Sequence, residues 1–184
     1  MSTKHYPASR PQAFAPAVLA AHRYVSSHAP HRTPEDVTRR LNAYALKASG
    51  CPQEVVEECA RDMAALIVKE RCILVPVPGR NGDTAANRRL AEAIALHARC
   101  SRVEVQDILT RAEPVESTCE RHRQKRGPLP VEAHRIVTRS HAAFHLAPIY
   151  FVDNVTTSGN TLAACAAALF GFGTGLVYAD ASKR

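Results

Sequence analysis

Apolar positions along this chain follow two different periods, and the change between them divides it into a helical part and a mixed part. Between residues 33 and 67 they recur at helical spacing. Thr33 is placed as an N-cap, Pro34 at the first helical position, and Glu35 and Asp36 in the first turn. Val37, Leu41, Tyr44 and Ala48 then share one predicted face, and Gly50 marks a stop. Pro52 opens a second predicted helix, with Val55, Val56, Cys59, Met63, Leu66 and Ile67 as its apolar stripe. From residue 72 the pattern changes. "CILVPVP" (Cys72 to Pro78) is a short apolar run of strand character, and "GRNGDT" turns the chain. Thr84 caps a predicted helix carrying Leu90, Ile94 and Leu96, and Val103 and Val105 alternate in a weak strand. Residues 110–140 have no clear period. "IYFVDN" then reads as a strand, "NTLAACAAALFGFG" as a small-residue helix ending near Gly171 or Gly173, and "GLVYAD" as a last strand. Strand, helix, strand, loop, strand, helix, strand is the order of an α/β domain with a largely parallel sheet. Residues 1–32, rich in Pro, Ala, Ser and His, predict only a short helix in "PAVLAAHRYV".

Composition narrows the class. The chain has 184 residues, 46% of them hydrophobic, with no Trp and only 5% aromatics. A core of Ala, Val, Leu and Ile in one domain is expected over residues 1–184, with a helical N-terminal segment (1–66) and an α/β core (67–184). No apolar run approaches membrane-spanning length, and the first 16 residues carry charge and proline where a secretory signal would be apolar. Six scattered cysteines with no C-x-x-C pair predict free thiols in a reducing cytoplasm. The nine histidines form no convincing metal pattern, His141 and His145 included, and His22, His28, His31, His122 and His134 are expected at the surface. Lys and Arg exceed Asp and Glu by 24 to 17, a formal +7, which favours anionic partners.

Two strand ends carry unusual turns, and ligands of parallel sheets sit beyond the carboxyl ends of strands. In the first, Gly79, Arg80, Asn81 and Gly82 offer backbone amides and a cation to an anion, or form a plain surface turn. In the second, Asp153 and Asn154 lead into Thr156, Thr157, Ser158, Gly159, Asn160 and Thr161, just before a helix. Hydroxyls, amides and the positive end of a helix dipole suit a monophosphate, and the same residues suit an ordinary capped corner. A Walker loop is excluded, because its lysine and glycine spacing are missing.

Apolar positions, an acid, a second polar residue, an apolar one and then T-T-S-G-x-T resemble the phosphoribosyl-pyrophosphate (PRPP) signature of type I phosphoribosyltransferases. The surrounding chain is most similar to the ComF-type, amidophosphoribosyltransferase-like competence proteins. "NAYALKASG" resembles their N-terminal element, "ILVPVP" their first core strand, "LTR" (Leu109 to Arg111) the start of their mobile loop and "GFGTGLVYADA" their final strand, over residues 40–181. The resemblance implies a Rossmann-like, mostly parallel sheet flanked by helices, with a small N-terminal helical hood over the acceptor. It implies that Thr156 to Thr161 hold the 5′-phosphate, and that Asp153, Asn154 and Val155 lie along the ribose. Asp153 would also stand by Mg²⁺, and Gly79 to Asp83 would form the pyrophosphate loop. The basic segment Arg121–Arg126 would close over the leaving group, with Arg121 and Lys125 acting in catalysis beside Asp153 and Asn154.

The sequence departs from the family at three places. Asn154 replaces an acid, Ser158 replaces a threonine, and "TAAN", ending at Asn87, replaces an arginine-glycine-phenylalanine-asparagine run. Thr157 stands where some members have a catalytic acid. The expected function is Mg²⁺-dependent transfer of phosphoribosyl from PRPP to a nitrogenous base or amine, and a homodimer is open. The alternative is a non-catalytic PRPP- or nucleotide-binding accessory of the competence type. A nucleic-acid binder ranks last, because aromatic interleaving and a recognisable motif are both missing.

Overall fold

The computed structural model describes residues 15–48, 50–117, 120–121, 124–139 and 147–182. Its centre is a five-stranded parallel sheet with strand order β1-β7-β6-β2-β3. The strands are β1 (Val18–Arg23), β2 (Arg71–Pro76), β3 (Arg102–Val105), β6 (Ile149–Thr156) and β7 (Thr174–Asp180). A separate antiparallel ribbon pairs β4 (Leu109–Arg111) with β5 (Ile136–Thr138). Helices α1 (Pro34–Ala45), α2 (Gln53–Ala64), α3 (Ala85–His97) and α4 (Asn160–Ala168) complete the fold, with a 3₁₀ turn at Val131–His134.

The central strands are apolar on both faces because both faces are covered. On β2, β6 and β7, Cys72, Leu74, Tyr150, Val152, Leu176 and Tyr178 share a core with α1, α2 and α3. Their neighbours Ile73, Val75, Ile149, Phe151 and Val177 share a second core with Leu162, Cys165 and Leu169 of α4 and with Leu109 of the ribbon. The alternation along each strand thus distributes its side chains between two layers. No helix among the described residues is long and apolar enough to cross a membrane.

Several expectations are corrected. The stretch expected as a short helix is strand β1, which completes the sheet edge by pairing with β7 from Val18 to Arg23. The sheet therefore draws on the N-terminal segment as well as on residues 67–184. On α1, Leu41 and Tyr44 are 57% and 53% exposed, while Asn42, Ala43 and Leu46 are buried. The sheet takes the neighbouring stripe of that helix. Leu96 is exposed too, because α3 packs through Leu90, Ala91, Ala93 and Ile94. Thr84 stands at the N-terminus of α3, but its hydroxyl donates to Asp107 Oδ2 at 2.7 Å. Asp83 Oδ1 accepts the Ala85 amide instead, at 2.9 Å. Strand β6 continues past Asp153 to Thr156, and α4 ends at Ala168.

The chain runs outward in both directions from the centre of the sheet. From β2 it crosses through α3 to β3; from β6 it crosses through α4 to β7 on the opposite side. The strand order reverses between β2 and β6, and a cleft opens there at the carboxyl ends. Both turns singled out in the sequence follow these two strands.

Candidate anion-binding site

A cavity of about 460 Å³ occupies that cleft. Its lining brings together Gly79, Arg80 and Asn81 of the first turn with Asp153, Asn154, Val155, Thr156, Thr157, Ser158, Gly159 and Thr161 of the second. A smaller hollow of about 150 Å³, walled by Arg71, Cys72 and Arg102, lies at the opposite end of the sheet.

The turn after β6 is built open. Thr156 is still held in the sheet, its carbonyl accepting the Ala181 amide at 2.8 Å. Gly159 takes φ +75 as the N-cap of α4, and a Cβ added there would meet nothing within 4 Å. The first-turn amides of α4 have no carbonyl of their own helix to bond, so they present positive partial charge toward the cleft. Ser158 Oγ accepts the Asn160 amide at 3.3 Å. The Asn160 side chain does not line the cavity. It donates to the Leu129 carbonyl at 2.8 Å and ties the turn to the segment before the 3₁₀ turn.

The turn after β2 is closed on itself. The Gly79 amide donates to the Asp83 carbonyl at 2.8 Å, and the Gly82 amide donates to the Gly79 carbonyl at 3.0 Å. Two of the amides expected to hold pyrophosphate are therefore engaged within the turn. Gly82 is buried and does not reach the cavity. Its φ is +85, and an added Cβ would lie 3.3 Å from Thr110 Oγ1. Arg80 and Asn81 remain exposed at the rim.

Between the turns sits Arg111, on β4. Its Nε donates to the Gly79 carbonyl at 2.7 Å, Nη2 to the Pro78 carbonyl at 3.3 Å, and Nη1 to the His134 carbonyl. Each of these acceptors is neutral. The guanidinium is half-buried, lines the cavity and forms no ion pair with a carboxylate. Burial opposes its charge, while Cys165 and Asp153 nearby favour it.

Asp153 faces the same space. Its Oδ1 accepts the Asn154 amide at 2.8 Å and Asn87 Nδ2 at 3.3 Å, while Oδ2 makes no hydrogen bond within the protein. Burial pushes this carboxyl above the usual carboxylate range, against the pull of those two donors and of Lys47 and Arg111. Asn87 also donates to the Val77 carbonyl at 2.8 Å, bracing β2 against β6.

Asn154 does not play the part expected of it. Alternation along β6 turns its side chain away from Asp153 and into the core, where it is buried. Nδ2 donates to the Ala43 carbonyl at 3.0 Å and Oδ1 accepts the Val155 amide at 2.9 Å. The amide joins α1 to the sheet and is not presented to a ribose. Arg121 and Lys125 also lie outside the cavity lining. Arg121 bonds Glu116 at 3.2 Å and the Gly127 carbonyl at 2.9 Å, Arg126 pairs with the same Glu116, and Lys125 is exposed. Glu116 is itself a cavity residue, and it holds both arginines at the rim. Cys119, His122, His141 and His145 lie outside the described residues.

Four cavity residues were given no role by the sequence: Lys47, Asn87, Arg111 and His134. Lys47 and Arg111 stand in the segments "NAYALKASG" and "LTR", and Asn87 ends "TAAN". Their presence in motif-like segments was the available signal. His134, expected at the surface, is buried. Among the described residues no three His, Cys, Asp or Glu side chains converge on a metal position. A magnesium ion bound mainly by a ligand's phosphates needs only one or two protein carboxylates, and Asp153 Oδ2 fits that limited role. No protein-family model, curated protein or solved structure matches the chain.

Proposed function

We propose that this chain is a PRPP-binding protein of the phosphoribosyltransferase kind, with the type I fold and the N-terminal segment as its hood. The observation that carries this reading is Arg111. It is a half-buried cation without a carboxylate partner, and it shares one cavity with Asp153 and the open turn of α4. A buried charge held only by carbonyls is incompletely compensated, and an anionic ligand supplies the missing partner. A ligand with a phosphate at one end, a sugar in the middle and a second anionic group at the other fits this order of donors. The 5′-phosphate lies on Thr157, Ser158, Gly159 and Thr161, the ribose hydroxyls on Asp153, and pyrophosphate toward Arg111, Arg80 and Asn81. Mg²⁺ on the diphosphate, beside Asp153, would supply charge neutralisation to the leaving group. The protein's own contribution is to orient the ribose and to stabilise pyrophosphate as a nitrogen nucleophile takes its place at C1.

A second reading, PRPP binding without turnover in a regulatory or competence-type accessory, is favoured by Asn154. Its side chain is engaged with Ala43, which leaves Asp153 as the one carboxylate of the motif. One pair of measurements separates the two in the cytoplasmic setting that both assume. Pyrophosphate release from PRPP and Mg²⁺ is followed across purine, pyrimidine, nicotinate and amine acceptors, with PRPP binding measured by calorimetry. Release with any acceptor establishes the enzyme, binding without release establishes the accessory, and the absence of both refutes the PRPP reading.

A further inference from the structure

His134 closes the 3₁₀ turn directly behind Arg111, and its ring is 95% buried, being only 5% exposed. Nδ1 lies 3.4 Å from Arg111 Nη1. A guanidinium has donors only, so Nδ1 must be the acceptor and carry no proton. Burial and the adjacent Arg111 charge push the imidazole down to about 4, so the ring is neutral near pH 7. A neutral ring whose Nδ1 is bare carries its proton on Nε2. That N–H is buried and has no hydrogen-bond partner. The Leu129 carbonyl lies beside the ring and favours its proton, but it already accepts Asn160 Nδ2 at 2.8 Å and makes no hydrogen bond with Nε2. An unpartnered buried donor is a cost that native structures seldom retain without a use.

We propose that His134 Nε2–H is a ligand donor, completing with Arg111 an anion subsite on the ribbon side of the cavity, opposite the α4 turn. The inference rests on the reading of this cavity as a phosphate site, and assigns the subsite to the distal, pyrophosphate end of the ligand. Residue 134 already lines the cavity, although Nε2 itself is covered from water in this conformation. Contact requires a small shift of the 3₁₀ turn, which has no strand pairing to hold it. Because Arg111 dictates the tautomer, the two residues act as a unit. Arg111 supplies the charge, and His134 supplies a directed neutral donor that stays in one protonation state through the physiological range.

The test uses the full chain and inorganic pyrophosphate. Nitrogen-15 NMR of the histidine rings should show the Nε2–H tautomer at His134, with its proton signal moving downfield as pyrophosphate is added. Calorimetry should show His134→Asn, which keeps an acceptor near Nδ1 but has no donor at Nε2, binding pyrophosphate about tenfold more weakly. His134→Gln, whose amide reaches the Nε2 position, should stay within about threefold of the parent. The inference is overturned if the wild-type ring carries its proton on Nδ1, or if saturating pyrophosphate leaves the signal unmoved. Equal pyrophosphate affinity in His134→Asn and wild type overturns it as well. Those results leave the phosphate-site reading standing; a wild-type protein that binds neither pyrophosphate nor PRPP overturns both.

Discussion

The turn after β2 and the turn after β6 both leave the carboxyl edge of a central strand, and both contain a glycine with left-handed backbone. Gly82 takes φ +85 and Gly159 takes φ +75. Their surroundings are opposite. The first turn directs its glycine amides inward, packs Gly82 against Thr110 and is held from outside by Arg111 on Gly79 and Arg139 on Gly82. The second turn has empty space above Gly159 and the unpaired amides of a helix N-terminus beneath it. One glycine lets the chain pack against itself; the other leaves room for something else. A glycine-rich turn at a strand end is therefore a poor guide to ligand binding until the partners of its amides are known.

The contrast breaks most severely at Arg111. Arg111→Leu removes donors from three carbonyls that fix the closed turn to the ribbon, and should cost about 4 kcal/mol in urea unfolding. Retention of stability in this variant would show that the closed turn is self-sufficient.

Acid should loosen the same region through His134. Its ordinary value is 6.5, and the folded protein holds it near 4. Between those values the unfolded chain binds the extra proton, so stability falls as pH drops through that window and is unaffected above it, for a total of about 3 kcal/mol. Asp153 acts in the opposite sense. Its carboxyl is raised in the folded state, so its contribution grows as pH falls toward the ordinary carboxylate range. Comparing wild type with His134→Asn cancels the Asp153 contribution. A difference that stays flat from pH 7 to pH 4 would contradict the buried neutral ring.

Asn154→Asp tests what anchors the open turn from below. Read as a ribose ligand, a restored carboxylate should improve binding; read from the structure, it sets a buried negative charge against the Ala43 carbonyl. A loss of about 2 kcal/mol at neutral pH, without a gain in PRPP affinity by calorimetry, is the expected outcome.

The paired glycine variants compare the turns directly. Gly82→Ala should lose about 2 kcal/mol, because left-handed strain adds to the contact with Thr110, and Gly159→Ala about 1 kcal/mol from strain alone. Only Gly159→Ala should also weaken pyrophosphate or PRPP binding, since its methyl group enters the open cradle. The smallest effect is expected at Lys125, exposed and outside the cavity. Lys125→Ala should leave calorimetric affinity within about twofold, and a larger loss would bring the basic segment back to the site.

The legibility of the sequence was uneven for identifiable reasons. Strands β2, β6 and β7 were readable because burial on both faces demands continuous apolar runs, and α1 announced its start with Thr33, Pro34 and Asp36, which form a capping box. β1 was not readable. "VLAAHR" owes its strand state to hydrogen bonds with β7, which local propensity does not report. Leu41 and Tyr44 satisfied helical spacing yet remain exposed, because periodicity identifies a stripe without saying which stripe the sheet will cover. Thr84 offered a plausible cap, and Asp107, far along the chain, took its hydroxyl.

By itself the sequence determined the alternation of strands and helices, the parallel sheet and the position of two glycine turns at strand ends. These depend on contacts between near neighbours, on which residues tolerate positive φ and on how many faces each element buries. Tertiary structure alone decided which turn stays open, that Asn154 serves the hood, and that Arg111 and His134 meet Asp153 across one cavity. Such pairings depend on where the chain returns after leaving the sheet in two directions. A residue's own neighbours in sequence carry no record of that return.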